Sequence, residues 1–194
     1  ARQQKRSWQE LAFEQYEATF FKLCSREHYA KWVDQIEQTR LTDSDKQDQA
    51  IQPDIPVALL LRTTGNQQAL AVTLDSLPQQ QGIAWKVILV VGEQRDSSSI
   101  RSQLSDPKPF EWTILENQQS EGHITVSTWQ QATQRVDADY WMVSSAGDLF
   151  ASASGRLLAR NIHGHPNAEL LYSDEDELDD QDQRRHPRFK PAWN

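Results

Sequence analysis

The sequence is poor in the features that identify several large classes of protein. Cys24 is the only cysteine in 194 residues, which excludes an intramolecular disulfide and a zinc site built on several thiolates. No apolar run approaches the roughly 20 residues that span a bilayer, and the amino-terminal segment has no apolar signal core. We therefore expect a protein of the reducing cytoplasm with no membrane span.

Positive charge is also scarce. Lysine and arginine together number 20 against 28 aspartate and glutamate residues, which gives a formal net charge of −8. Binding to nucleic acid requires clustered positive charge, and the only basic cluster is Arg2, Lys5 and Arg6. The composition argues against a nucleic-acid partner.

Several catalytic signatures are missing as well. There is no Gly-x-Gly-x-x-Gly, no Walker sequence and no Gly-x-Ser-x-Gly elbow, which disfavours NAD enzymes, P-loop enzymes and α/β-hydrolases. The histidines lack the i, i+4 pairing of a zinc protease. The acidic run 174–182 lacks the spacing of a calcium-binding EF-hand loop.

What is present divides the chain into three parts. Apolar residues at helical spacing predict a helical appendage over residues 1–41. Residues 42–56 have the polar, proline-containing composition of a linker. Residues 57–194 form the main domain. Because Phe13, Phe20, Trp32 and Val33 are too apolar to remain in water, we expect the appendage to dock on this domain or on a protein partner.

Short apolar runs alternate with helix-length segments in the main domain. This order predicts an α/β fold with a mostly parallel sheet covered by helices, because such strands are buried on both faces. The predicted strands are Val57–Arg62, Trp85–Val91, Phe110–Leu115, Tyr140–Ser144 and Glu169–Ser173. The predicted helices are 66–78, 96–104, 122–136 and 151–162.

The carboxyl-terminal run Leu171-Tyr-Ser-Asp-Glu-Asp-Glu-Leu-Asp, followed by Pro187-Arg-Phe-Lys-Pro-Ala-Trp-Asn, resembles a segment of bacterial family 2 glycosyltransferases of the O-antigen and rhamnan type. Tyr29-Ala-Lys-Trp-Val resembles a helix that precedes their domain. Leu74-Asp-Ser-Leu with Gln81 resembles its first helix. Glu121-Gly-His-Ile-Thr resembles the turn before its third helix. The matches occur in the family's order along nearly the whole chain.

The resemblance implies a GT-A fold, the Rossmann-like fold of nucleotide-diphospho-sugar transferases, represented here by its N-terminal half. Open sheets of this kind bind ligands just beyond the carboxyl ends of their strands. The candidate donor-binding residues there are Thr64, Glu93, Asp148, Asp174 and Asp176. For the last two, the alternative is a solvated acidic hairpin.

The resemblance also marks what this chain has lost. At the family's Asp-x-Asp metal motif it carries Ser145 and Gly147, and only the adjacent Asp148 remains as a metal ligand. The family's Mg²⁺ or Mn²⁺ offsets charge on the leaving nucleotide, so we expect weak metal binding or none. Its catalytic base lies downstream of the segment that ends at Asn194. Trp129 replaces a donor-site asparagine and could fill that pocket.

Three functions follow from these residues. The first is a catalytically degenerate glycosyltransferase-like domain with a binding or assembly role in polysaccharide or glycoconjugate biosynthesis. The second is an active nucleotide-sugar transferase, or the donor-binding half of one. The third is an unrelated α/β ligand-binding module.

Overall fold

A computed structural model describes residues 26–39, 54–63, 65–92, 97–104, 108–117 and 124–190 of the chain. In chain order the elements are helix α1 (Arg26–Trp32), continued by a π-helical turn (Val33–Glu37), β1 (Ile55–Arg62), α2 (Gln67–Ser76) with a 3₁₀ turn (Leu77–Gln79), β2 (Ile83–Gly92), α3 (Ser97–Gln103), β3 (Glu111–Asn117), α4 (Val126–Arg135), β4 (Tyr140–Ser145), α5 (Ser154–Gly164), β5 (Glu175–Leu178) and β6 (Arg184–Arg188).

Strands β1 to β4 form one parallel sheet in the order β3-β2-β1-β4. The two central strands, β1 and β2, are almost entirely buried, whereas the outer strands contain more half-buried positions. A parallel sheet between two layers of helices has no solvated face, which is why its central strands read as continuous apolar runs. The predicted α/β fold is confirmed as a four-stranded parallel sheet flanked by helices, in a Rossmann-like arrangement.

The core lies on both faces of this sheet. Alternate side chains of a strand point to opposite faces, so Leu59 and Leu61 pack in one cluster and Leu60 packs in another. The first cluster includes residues of α2, α3 and α5, and the second includes Ala132 of α4. A fully buried leucine contributes about 1.5–3 kcal/mol, so these three consecutive leucines make β1 the centre of the unit.

Side-chain caps fix where two of the helices begin. The Asn66 side chain accepts hydrogen bonds from the backbone N–H groups of Gln68 and Ala69 at 3.0 and 3.1 Å. Thr125 and Thr128 form a reciprocal capping box at the start of α4. Caps of this kind satisfy backbone donors that have no partner within the helix. The four predicted helices are confirmed, with ends that differ by a few residues.

The predicted strand Glu169–Ser173 is wrong. These residues are exposed and belong to no strand, and Leu170 retains 66% of its accessible surface. The strands that follow are instead β5 and β6, which form an antiparallel hairpin. An apolar run becomes a strand only where a neighbouring strand and a buried face receive it. Two leucines and a tyrosine between polar residues match a strand in composition alone.

The chain divides into two compact units, while the domain boundaries expected from composition stay a prediction. One comprises Ala50–Asn167 and contains the sheet, and the other joins Ala1–Gln49 with Ala168–Asn194. Within the second unit, α1 contacts the β5-β6 hairpin through side chains distant in sequence, among them Tyr29 and Phe189. Composition follows the chain locally and does not report such contacts.

We expect Gly155→Ala to destabilise the protein, because a Cβ at this buried position would lie 2.7 Å from the Gln80 Cβ and 3.0 Å from Gln80 backbone atoms. Overpacking against backbone costs about 1–3 kcal/mol. The control is Gly164→Ala at the end of the same helix, where nothing lies within 4 Å of the added Cβ. Urea unfolding measures both variants. Equal stabilities would contradict the close contact.

Candidate functional site

Three parallel strands end side by side where the sequence places a donor site. Arg62, the last residue of β1, pairs in register with Val90 and with Ser145. Beyond β1, the Thr63 backbone N–H and hydroxyl both donate to the Val90 carbonyl at 3.0 Å. The backbone N–H of Ala146 donates to the Arg62 carbonyl at 2.8 Å. These hydrogen bonds extend the pairing of β1 with β2 and with β4 by one residue beyond Arg62 and Ser145.

Two hydroxyl groups of α2 hold the loop that follows β4. Thr73 Oγ1 accepts from the backbone N–H of Gly147 at 2.9 Å, and Ser76 Oγ accepts from that of Phe150 at 3.4 Å. The same hydroxyls donate to helix carbonyls, those of Ala69 and Thr73. A hydroxyl has one donor hydrogen and two acceptor lone pairs, so each of these buried groups serves helix and loop together.

A buried glutamine completes the attachment of this loop. Gln80 Oε1 accepts from the backbone N–H of Gly155 at 2.8 Å, while its Nε2 donates to the carbonyls of Ser76 and Phe150. Ala153 at the start of α5 provides no side-chain cap, so Gln80 supplies the acceptor that this helix end needs. The resemblance to the family's first helix pointed to Gln81, whose side chain is exposed. Gln80 follows Ser76 at i, i+4 spacing, and this spacing is the sequence signal for its hydrogen bond to the Ser76 carbonyl.

Asp148, the candidate metal ligand, uses one carboxylate oxygen within its own turn. Its Oδ2 accepts from the Ser144 hydroxyl at 2.6 Å and from the Ser145 backbone N–H at 2.8 Å. The backbone N–H of Asp148 donates to the Ser145 carbonyl at 3.0 Å, which closes the turn. The side chain therefore caps the end of β4. Its Oδ1 has no partner among the described residues.

Gly147 has a backbone conformation that disfavours the family's second motif acid. Its φ is +108°, a region that residues with a Cβ rarely adopt. A Cβ there would meet only the Ala69 Cβ, at an ordinary 3.7 Å, so the restriction arises from the backbone and not from crowding. An aspartate at this position would be strained.

The described residues supply few ligands for a resident Mg²⁺ or Mn²⁺ ion, and metal binding stays a prediction. These cations take several oxygen ligands, with carboxylates to balance their charge. The β4 loop supplies one carboxylate, and no group of three or more acidic, histidine or cysteine side chains in the described part of the chain could hold a metal. Thr64 and Glu93 lie outside the described residues, and their donor-binding role stays a prediction.

Asp174 and Asp176 belong to the hairpin unit, where both accept hydrogen bonds. Asp174 Oδ1 accepts from the Lys190 backbone N–H at 2.8 Å. Asp176 Oδ2 accepts from the Tyr29 hydroxyl at 2.5 Å and from Arg184 Nε. These contacts tie the start of β5 to the residues after β6 and to α1. Binding of a donor by either acid stays a prediction.

Arg184 is the centre of this polar cluster, and the sequence had not singled it out. Besides Asp176, its guanidinium binds both carboxylate oxygens of Glu37 and the Tyr29 hydroxyl. Tyr29 stacks on Trp32, and the edge of Phe189 contacts both rings. The arginine therefore lies against an aromatic group and bridges two acids.

The π-helical turn explains how Tyr29 and Glu37 reach the same guanidinium. Eight residues along an ideal α-helix turn through about 800°, which leaves two side chains roughly 80° apart around the axis. The π-helical turn Val33–Glu37 has more residues per turn and so reduces this angle. A regular helical repeat in the sequence does not predict that Tyr29 and Glu37 contact the same guanidinium.

The cluster keeps the Tyr29 hydroxyl and the Arg184 guanidinium protonated. Burial, and then a hydrogen bond to Asp176, raise the pKa of Tyr29 above its ordinary value. Burial alone would lower the pKa of Arg184, but hydrogen bonds with Glu37 and Asp176 outweigh it and raise the pKa. At neutral pH the tyrosine remains a donor and the arginine a cation.

Trp129 has a packing role on the sheet. Its ring centroid lies 5.3 Å from that of Trp141, and both rings pack against the cluster formed by Leu60, Ile88 and Leu115. These contacts account for the indole without a donor pocket.

We expect Asp148→Ala to lower stability by about 1 kcal/mol and Asp148→Asn to cost less. The amide oxygen of asparagine can accept the same hydrogen bonds from Ser144 and Ser145 that the carboxylate accepts. Urea denaturation of the two variants measures the difference. Equal stability of Asp148→Ala and the parent protein would contradict the capping role.

Arg184→Gln should loosen α1, because it leaves the Asp176 and Glu37 carboxylates without their cation. Since the arginine is one-third exposed, we expect a loss of about 1–2 kcal/mol, less than for a fully buried pair. Hydrogen exchange of residues 26–39 should accelerate roughly tenfold or more. The control is Arg185→Gln, at an exposed position of the same strand. Equal exchange in both variants would contradict the cluster's role.

Comparison with known proteins gives few matches. No protein-family model matches the sequence, and no curated protein matches it. Among solved structures, two crystal structures of S. aureus TarS are similar to it, each with a TM-score of 0.43 and 9% identity. The match covers 58% of this chain and 20% of the first TarS chain, and 61% of this chain and 38% of the second, TarS 1–349. The chain thus spans well under half the length of either.

Proposed function

We propose that this chain is a glycosyltransferase-like domain that has a binding or assembly role in polysaccharide or glycoconjugate biosynthesis and does not itself transfer sugar. The parallel α/β sheet and the order of the family-like segments support the glycosyltransferase part of the proposal. The chemistry of the β4 loop supports the absence of transfer.

The use of Asp148 as a turn cap is the observation that carries the proposal. A transferase of the family that this chain resembles needs a metal to hold the donor diphosphate and to offset charge on the leaving group. Here one oxygen of the remaining acid accepts two hydrogen bonds from its own loop. The flanking motif positions carry Ser145 and Gly147, which provide no negative charge.

The hairpin supports the same conclusion from a different direction. Its family-like residues include Asp176 and Phe189, and the family-like α1 helix contributes Tyr29 and Trp32. All four take part in one cluster that joins α1 to the hairpin. This structural role accounts for the family-like residues without requiring that they bind a donor.

An active transferase, or the donor-binding half of one, is the second candidate. Asp148 Oδ1 favours it, because this atom has no partner among the described residues and is available to a metal held mainly by water and phosphate. A nucleotide sugar would be the partner in that case.

For a binding role, the protein partner would contact the N-terminal helices, where Ile36 of the π-helical turn is 40% exposed. None of the described helices is long and apolar enough to cross a membrane.

Calorimetry with Mn²⁺ and UDP- or dTDP-sugars tests the proposal. We expect no metal-dependent binding with a dissociation constant below about 100 μM, and no sugar transfer, because one carboxylate that is already engaged in its own turn anchors a metal–diphosphate complex weakly. The matched variant is Asp148→Asn, which keeps the turn's hydrogen-bond acceptor and removes the charge. Low-micromolar binding that disappears in Asp148→Asn would establish the second candidate instead.

A further inference from the structure

A polar groove lies beside β3, one of the two outer strands of the sheet. It encloses about 550 Å³, within the range of small-molecule sites, and is lined by residues of α3, β3 and α4. Its polar lining consists of Arg101, Glu116, Asn117, Ser127, Gln131 and Arg135. Small-molecule sites are usually lined by apolar side chains. A groove with this lining suits a ligand that is itself polar over most of its surface.

Two arginines give the groove a positive charge within an acidic protein. Arg135 Nη1 donates to the Ile114 carbonyl at 3.2 Å, which anchors the guanidinium at β3 and leaves its other N–H groups for a ligand. Arg101 is exposed and has no partner among the described residues. Among the described residues of the lining Glu116 is the one acid, so these residues carry a net charge of +1, against −8 for the chain. Guanidinium groups bind phosphate through paired N–H donors.

The remaining polar groups suit hydroxyls. Asn117 Nδ2 donates to Thr128 Oγ1 at 2.9 Å, which orients the amide, and Gln131 Nε2 donates to Ser127 Oγ at 3.3 Å. Glu116 is exposed and accepts no hydrogen bond from the described residues. A carboxylate repels a bare phosphate but accepts from hydroxyl groups. The lining therefore favours a molecule that presents an anion and hydroxyls together.

We infer that this groove binds a small phosphorylated polyol, such as a hexose phosphate. The phosphate lies between Arg101 and Arg135, and the hydroxyls donate to Glu116. Of the candidate donor residues in the described part of the chain, Asp148, Asp174 and Asp176 lie outside the groove lining. The probes that test the inference carry no nucleotide, so their outcome is distinguishable from that of nucleotide-sugar binding and sugar transfer.

The first test compares three probes on the full chain by calorimetry or by NMR titration: glucose 6-phosphate, glucose and inorganic phosphate. We expect glucose 6-phosphate to bind with a dissociation constant of about 1 mM or lower, and at least about tenfold more tightly than either separate part. No binding below about 10 mM would overturn the inference. So would equal affinity for phosphate, which would indicate a general anion site, or for glucose.

The second test uses variants outside the packed core. Arg101→Ala should weaken glucose 6-phosphate binding about tenfold, the usual effect of removing one charged hydrogen bond. Glu116→Ala should weaken glucose 6-phosphate but not phosphate, because only hydroxyls need its carboxylate. The control is Arg160→Ala, which removes the same charge from an exposed helical position outside the groove. An undiminished affinity in Arg101→Ala, or an equal loss in Arg160→Ala, would overturn the assignment.

Discussion

Hydrogen bonds from Thr73, Ser76 and Gln80 to the loop after β4 determine what the carboxyl edge of the sheet can do. They satisfy the backbone N–H groups of Gly147, Phe150 and Gly155, which would otherwise be left without partners as the loop packs on α2. The loop is consequently held by neutral protein groups and requires no metal for its shape. Gly147 is in turn fixed in a conformation unsuited to aspartate. The geometry that makes the loop rigid also keeps a second carboxylate away from it.

The residues that carry the family resemblance have structural partners in this chain. The most family-like residues contact each other in the α1 and hairpin unit, where Arg184 connects Asp176 and Glu37. An arginine that binds two acids and an aromatic ring is sensitive to substitution, because losing it leaves buried or half-buried charges unpaired. Such a cluster can retain its sequence while residues that hold a donor change. A match to the family's motif in this hairpin therefore indicates the fold before it indicates donor binding.

The elements of the sheet could be predicted because each depends on local sequence. The apolar runs of β1 and β2 are long and continuous, and Asn66 marks the start of α2. The predicted strand Glu169–Ser173 was wrong, since Leu170 and Leu171 form a strand only if another strand pairs with them. The cluster around Arg184 could not be predicted either, because Arg184 and Glu37 are 147 residues apart and a π-helical turn brings Glu37 into line with Tyr29. For Asp148, the sequence identified the residue and its strand end, but not the capping bonds.

The groove beside β3 and the loop after β4 differ in the charged groups that they offer to a phosphorylated ligand. An acidic protein that binds a phosphorylated molecule must offset repulsion locally, with a metal or with fixed cations. The β4 loop offers one carboxylate, of which one oxygen already accepts two hydrogen bonds from the loop. Arg101 and Arg135 are already charged and need no cofactor. Arginine-based binding in an open groove is weaker than metal-bridged binding and more sensitive to salt, since solvent screens exposed charges. Such a site is suited to reversible recognition of a phosphate, whereas leaving-group activation needs the concentrated charge of a metal ion.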